Sequence, residues 1–116
     1  MAVWLLSGDL IVASQVARAA ARHDFELQTY SSAEALLAAT AEQVPTTVIL
    51  DLSLPGLRLQ ELVAELKSLT ASAQLVAFAP HVHAGKIAAA REAGCDTVIS
   101  RGALHDRLDE LLQDKT

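Results

Sequence analysis

Five short apolar runs, each followed by a stretch with helical spacing, constrain this chain more than any other feature. Ala2-Val3-Trp4-Leu5-Leu6 opens it and is broken by Ser7-Gly8-Asp9. Ile11, Val12, Val16, Ala19 and Ala20 then recur at helical spacing, with Gln15, Arg18 and Arg22 on the opposite face, the pattern of an amphipathic helix. Asp9 is placed as its N-cap, where a carboxylate accepts from the free N–H groups of the first turn. Residues 25–30 alternate like a half-exposed strand near a sheet edge,. Ser31-Ser32-Ala33-Glu34 matches a capping box that opens a short helix through about residue 41,. Thr46-Thr47-Val48-Ile49-Leu50 lies between Pro45 and Asp51 and predicts a central strand,. After Leu54-Pro55-Gly56, a second stripe runs through Leu59, Leu62, Val63, Leu66 and Leu69,. Gln74-Leu75-Val76-Ala77-Phe78 is a fourth strand stopped by Pro80, and residues 87–93 a helix ended by Gly94 at a left-handed C′ position,. Thr97-Val98-Ile99 is a fifth strand, and Leu104, Leu108, Leu111 and Leu112 form the last stripe. Residues 113–116 read as a frayed end or the stub of a linker.

This alternation predicts an α/β fold in which right-handed crossovers build a parallel sheet covered on both faces. Five βα units are too few for an eight-stranded barrel. The expected architecture is a doubly wound, flavodoxin-like three-layer (βα)5 sandwich with strand order 2-1-3-4-5, residues 1–116 making one domain. Composition agrees: 22 alanines and 19 leucines favour helices,, and the mean hydropathy of +0.31 fits strands buried on both faces,. A net charge of -5 argues against nucleic acid as a partner, since phosphate contacts need clustered Lys and Arg,. No apolar run approaches the roughly 20 residues that span a bilayer, and no basic segment precedes the first apolar run as in a secretion signal. Cys95 is the only cysteine, so no intrachain disulfide forms, in agreement with a cytoplasmic location.

In open α/β sheets the functional crevice lies beyond the carboxyl ends of the strands, at the point where strand order reverses. The turns expected there are Ser7-Gly8-Asp9, Asp51-Leu52-Ser53, Ala79-Pro80-His81 and Ser100-Arg101-Gly102. Asp51 directly ends the most apolar strand. A carboxylate in that place suits a nucleophile, a metal ligand or a cap.

The segments around it resemble the receiver domain of bacterial two-component response regulators. Val48-Ile49-Leu50-Asp51-Leu52-Ser53-Leu54-Pro55-Gly56 is similar to the family's phosphoacceptor segment. Ala88-Ala89-Ala90-Arg91-Glu92-Ala93-Gly94-Cys95-Asp96 is similar to its Ala-rich fourth helix and Ala-Gly-Ala-Asp corner. The resemblance runs from about Ala2 to Leu112. It implies an aspartate that takes a phosphoryl group from a histidine kinase, assisted by Mg²⁺, an acidic pair, a Ser/Thr and a Lys.

Asp51 matches the phosphoacceptor and is the candidate for that role, with Ser53 close behind it. The other positions depart from the pattern. Ser7 and Gly8 stand where the acidic pair belongs, and Asp9 follows one place later. Ala79 replaces the Ser/Thr, Arg101 the Lys, Gly102 the Pro after it, and Val98 the switch aromatic. Asp51 and Asp9 are then weak candidate metal ligands, so Mg²⁺ binding is expected to be weak or absent, and no other cofactor is expected. Arg101 keeps the charge of a Lys but not its chemistry. Asp51 is either a phosphoacceptor with a depleted site or a retained carboxylate that pairs with Arg101 or caps local N–H groups.

The resulting expectation is an atypical receiver, a pseudo-receiver that is not an enzyme and acts in signalling through protein contacts. The resemblance implies a histidine kinase, a phosphotransfer protein or an output domain as partner. Its charged 84–112 face (Lys86, Arg91, Glu92, Arg101, His105, Arg107, Asp109 and Glu110) suits homodimerisation or an ordinary solvated surface. The first helix, with Gln15, Arg18 and Arg22, corresponds to the face that meets kinases. The alternative is a working receiver phosphorylated on Asp51 with altered Mg²⁺ dependence. A flavin- or nucleotide-binding flavodoxin-like module ranks behind both, because no glycine-rich phosphate cradle follows the first strand. His81 and His83 are assigned to a polar loop, His23 and His105 to helix ends and surface, and Cys95 and Trp4 to the interior.

Overall fold

The structure, a computed structural model, describes residues 1–113; of the tail expected to fray, residues 114–116 lie outside the described residues. The elements alternate as expected: β1 (Ala2–Leu6), α1 (Leu10–Arg22), β2 (Glu26–Tyr30), α2 (Ala33–Ala39), β3 (Thr47–Asp51), α3 (Leu59–Leu69), β4 (Gln74–Ala79), α4 (Ala84–Ala93), β5 (Thr97–Ser100) and α5 (Arg101–Leu111). All strand pairs are parallel, in the order β2-β1-β3-β4-β5. Every residue of β1 and β3 is buried, which is why both read as unbroken apolar runs rather than alternating ones. β2, at the edge, keeps the half-exposed pattern.

Strand side chains alternate between two packed layers. Trp4, Leu6, Val48, Leu50, Leu75 and Ala77 meet Leu36 of α2, Leu62, Val63 and Leu66 of α3 and Ala90 of α4. Val3, Leu5, Ile49, Val76 and Phe78 meet Val12, Val16 and Ala19 of α1 and Leu104, Leu108 and Leu111 of α5. Charge joins α1 to α5 at both ends. At their starts Asp9 pairs with Arg101, and near their ends Arg22 Nε and His23 Nε2 each lie 3.0 Å from Asp109 Oδ1.

The element ends depart from expectation for local reasons. β3, β4 and β5 each run one residue further, because the ladder continues through Asp51 with Phe78 and Ala79 with Ser100. Ser32, not Ser31, caps α2: its Oγ accepts from Ala35 N–H at 3.2 Å. Glu34 is thereby moved out of the position a capping box requires, and α2 stops at Ala39, with Thr40 as its C-cap. Leu69, expected in the apolar stripe, is 51% exposed. The chain turns inward instead at buried Thr70, whose hydroxyl donates to Leu66 O at 2.6 Å. α4 starts a turn earlier than its apolar residues suggest, while Gly94 ends it with φ 100°, the left-handed position only glycine adopts freely,.

Replacing fully buried Leu108 by Ala should lower stability by about 2–5 kcal/mol through lost burial and a cavity. Leu69→Ala, on the exposed side of α3, should change it by less than about 0.5 kcal/mol. Urea denaturation followed by circular dichroism measures both. Equal losses would mean that Leu69 is buried as deeply as Leu108.

Candidate functional site

The strand ends gather Ser7, Asp51, Ala79 and Ser100 on one edge of the sheet, where β1 and β3 meet beside the crossover point. Asp51 is the last residue of β3 and only 7% exposed. A carboxylate at that depth needs donors, because removing it from water is costly. Two are supplied locally. The Ser7 hydroxyl donates to Asp51 Oδ2 at 2.6 Å, and the Ser53 backbone N–H donates to Oδ1 at 2.9 Å. Ser7 Oγ in turn accepts from the Asp9 backbone N–H at 3.0 Å. The turn after β1 thus folds back on itself and aims its hydroxyl at the end of β3.

Asp9 is turned the other way. Its Oδ1 accepts from Ile11 N–H at 2.9 Å and Val12 N–H at 3.2 Å, which caps α1 as expected,. Its Oδ2 accepts from Arg101 Nε at 3.0 Å and from Arg101 Nη2. The Arg101 hydrogen bond is the main reason that the Asp9 carboxyl is held below its ordinary value of 3.8; partial burial opposes it and the capping N–H groups assist. Asp9 is therefore consumed by α1 and α5.

The pairing of Asp51 with Arg101 is not formed; Arg101 holds Asp9 instead. Arg101 is the first residue of α5, directly after the N-cap Ser100, whose Oγ accepts from Ala103 N–H at 3.2 Å. From the start of α5 its guanidinium reaches across to the start of α1. The other alternative for Asp51, capping of local N–H groups, is the geometry found at Ser53. In the sequence Ser7 stands out only as the residue in place of an acid; its donation to Asp51 is visible only in the fold. The available signal was a small hydroxyl residue directly after a buried strand, next to the strand that ends in the aspartate.

Gly8 is exposed, and a Cβ built on it would meet nothing within 4 Å. Ala79 is fully buried at the end of β4 and carries no hydroxyl. Val98 is half-buried in β5. His81 and His83 are exposed, and His83 leads into α4 without a side-chain cap bond. No group of three or more His, Cys, Asp or Glu able to hold a metal ion exists among the described residues. Cys95 is half-buried, and burial raises its thiol pKa, which disfavours the reactive thiolate,. Of the charged 84–112 face, Asp109 is turned toward α1, where Arg22 and His23 take it, and Arg101 toward Asp9; neither is free for a partner on that side.

Because Asp9 both caps α1 and anchors Arg101, Asp9→Ala should cost about 1–2 kcal/mol at neutral pH. Arg101→Met should cost less than about 1 kcal/mol, since the pair is partly exposed. The Asp9 carboxyl has a lowered folded pKa, so the stability supplied by Arg101 is complete above 3.8 and disappears as pH falls through that lowered value,. Thermal melts across acidic pH should show wild type and Arg101→Met converging; a gap that persists at the acid limit would mean that Arg101 acts by packing alone.

No protein-family model matches the sequence, and no curated protein matches it. Solved structures do match. The receiver domain of NtrX from Brucella abortus superposes with a TM-score of 0.79 at 24% identity, covering 98% of this chain and 99% of that one. A response regulator from Burkholderia pseudomallei, solved with a phosphorylated aspartic acid, calcium ion and citrate, gives 0.80 at 17% identity over 97% of this chain and 66% of that one. Against a longer NtrX chain from Brucella abortus the TM-score is 0.79 at 24% identity, and the match covers 95% of this chain but only 25% of that one. This chain thus spans a quarter to two thirds of the length of those two longer proteins. With its parallel sheet in the order β2-β1-β3-β4-β5, the fold is that of response regulator receiver domains.

Proposed function

We propose that this chain is an atypical receiver domain, acting in cytoplasmic signal transduction through protein contacts rather than through phosphoryl transfer. The observation that carries this is the engagement of Asp51: one oxygen takes the Ser7 hydroxyl and the other the Ser53 N–H. Phosphoryl transfer depends on positioning and on charges that meet the developing negative oxygens. Here Arg101 is spent on Asp9, and Ala79 has no hydroxyl to offer.

The donor set does not suit Mg²⁺, which wants hard oxygens from one or two carboxylates and an open coordination shell. Asp51 is bonded on both oxygens, and those of Asp9 are taken by N–H groups and a guanidinium. The Burkholderia response regulator carries its phosphorylated aspartic acid together with a calcium ion. A working phosphoacceptor with altered metal dependence is therefore the second reading. Partners in either case are a histidine kinase, a phosphotransfer protein or an output domain. A homodimer would use the exposed residues of the 84–112 face that are not tied to α1, Lys86, Arg91, Glu92, His105 and Glu110.

Beryllofluoride, which mimics an aspartyl phosphate, tests this directly when added with millimolar Mg²⁺ and followed by amide NMR. The expected result is no shift at Asp51 or Ala79, with partner capture by Asp51→Asn unchanged. Large shifts confined to those strand ends would establish the second reading instead. The complementary gain of function is also accessible, because Gly8 has room for a side chain. Ser7→Asp combined with Gly8→Asp should lower stability in the absence of metal, since like charges then crowd Asp51. Added Mg²⁺ should raise the Tm of that variant and leave wild type unmoved.

A further inference from the structure

β2 forms one edge of the sheet and, among the described residues, pairs with β1 alone. Glu26 N–H donates to Met1 O at 2.9 Å, and Tyr30 O accepts from Ser7 N–H at 3.1 Å. In a parallel ladder alternate residues turn their backbone groups to the same side, so Glu26, Gln28 and Tyr30 serve β1. Leu27 and Thr29 then point their N–H and C=O groups away from the sheet. Such an edge is a template for a further strand, and proteins commonly blunt it with Lys, Pro or a bulge. β2 has none of these: Glu-Leu-Gln-Thr-Tyr runs in unbroken register along β1, with Glu26, Gln28 and Thr29 exposed.

We propose that β2 pairs with β2 of a second copy of this chain, antiparallel about a twofold axis at Gln28. Of the self-pairing registers, this one alone sets all 5 residues of the strand opposite a partner. It also sets outward-facing Leu27 against outward-facing Thr29 of the second copy, so each such pair exchanges both backbone hydrogen bonds. The side chains agree. Glu26, the only charge in the strand, lies opposite Tyr30 of the second copy, whose hydroxyl donates to a carboxylate,. The two Glu26 chains stay at opposite ends of the pair, so like charges do not face each other. Gln28 meets its own copy at the axis, in the non-hydrogen-bonded position where side chains come closest, and amides donate to and accept from each other. A contact that maps one patch onto itself closes as a dimer. It joins the two sheets edge to edge at the end away from β5 and the 84–112 face, and asks nothing of Asp51. Two short strands bury less than a standard interface of about 1,600 Å², so the association is weak and reversible.

Sedimentation equilibrium of the full chain, from micromolar to millimolar concentration, should show monomer in equilibrium with dimer. In a mixture of isotope-labelled and unlabelled chain, a filtered NOE should join Gln28 Hα to its copy, because the two backbones approach most closely there. Thr29→Pro removes an outward N–H and no bond to β1, a place where an edge strand tolerates proline. It should keep the circular dichroism spectrum and weaken dimerisation about tenfold or more. Hydrogen exchange of the unaltered chain gives the same answer without a substitution: the Leu27 and Thr29 amides should exchange more slowly at millimolar than at micromolar concentration. The proposal fails if the chain stays monomeric at millimolar concentration. It fails equally if a dimer forms in which those two amides exchange as in the monomer; filtered contacts from residues 84–112 would then assign the association to that face.

Discussion

A strand buried on both faces can end in a charged residue only if donors wait for that charge. β3 is such a strand, and Asp51 is such a residue. Around it the sheet must leave something that donates, and among the described residues the donors are a neighbouring hydroxyl and a local amide. The turn after β1 is shaped by this demand. Ser7 is held by the Asp9 N–H and donates its hydroxyl hydrogen bond to Asp51, so one short turn serves both the start of α1 and the end of β3. Hydrogen bonds to a carboxylate are among the stronger ones in proteins, and here two of them hold the Asp51 side chain at the end of the sheet.

The competition for Asp9 decides what kind of centre results. Its carboxylate has two claimants from different elements, the amides that open α1 and the guanidinium that opens α5. Both stabilise the ionised form and both draw it away from Asp51. A lysine at position 101 would offer a point charge on a flexible stem, able to serve two carboxylates in turn. The planar guanidinium of Arg101 instead places two donors on one oxygen of one partner. The same net charge therefore produces a fixed tie rather than a shared one.

Most of the fold was legible because each βα unit announces itself locally. The doubly buried strands read as continuous apolar runs, the edge strand β2 alternates, and Gly94 marks the end of α4. Cap positions were less legible: two serines in a row cannot say which one faces Ala35, and Leu69 continues an apolar period that the chain abandons at Thr70. The site was legible as a set of strand-end residues but not as a set of bonds. Nothing in the sequence says that Arg101 closes on Asp9, 92 positions away, rather than on Asp51. Nor does it say that the indole of Trp4, plainly a core residue, leaves its N–H without a partner among the described residues.

The two clasps between α1 and α5 have a mechanical meaning. The helices follow parallel strands and run side by side, tied at their starts by Asp9 and Arg101 and near their ends by Asp109 with Arg22 and His23. One tie would mark a single point of contact; two ties set the register of the helices along their length, over the apolar packing of Val12 and Val16 with Leu104 and Leu108. On the opposite side α4 buries only Ala90, so less apolar contact holds it than holds α1 or α5.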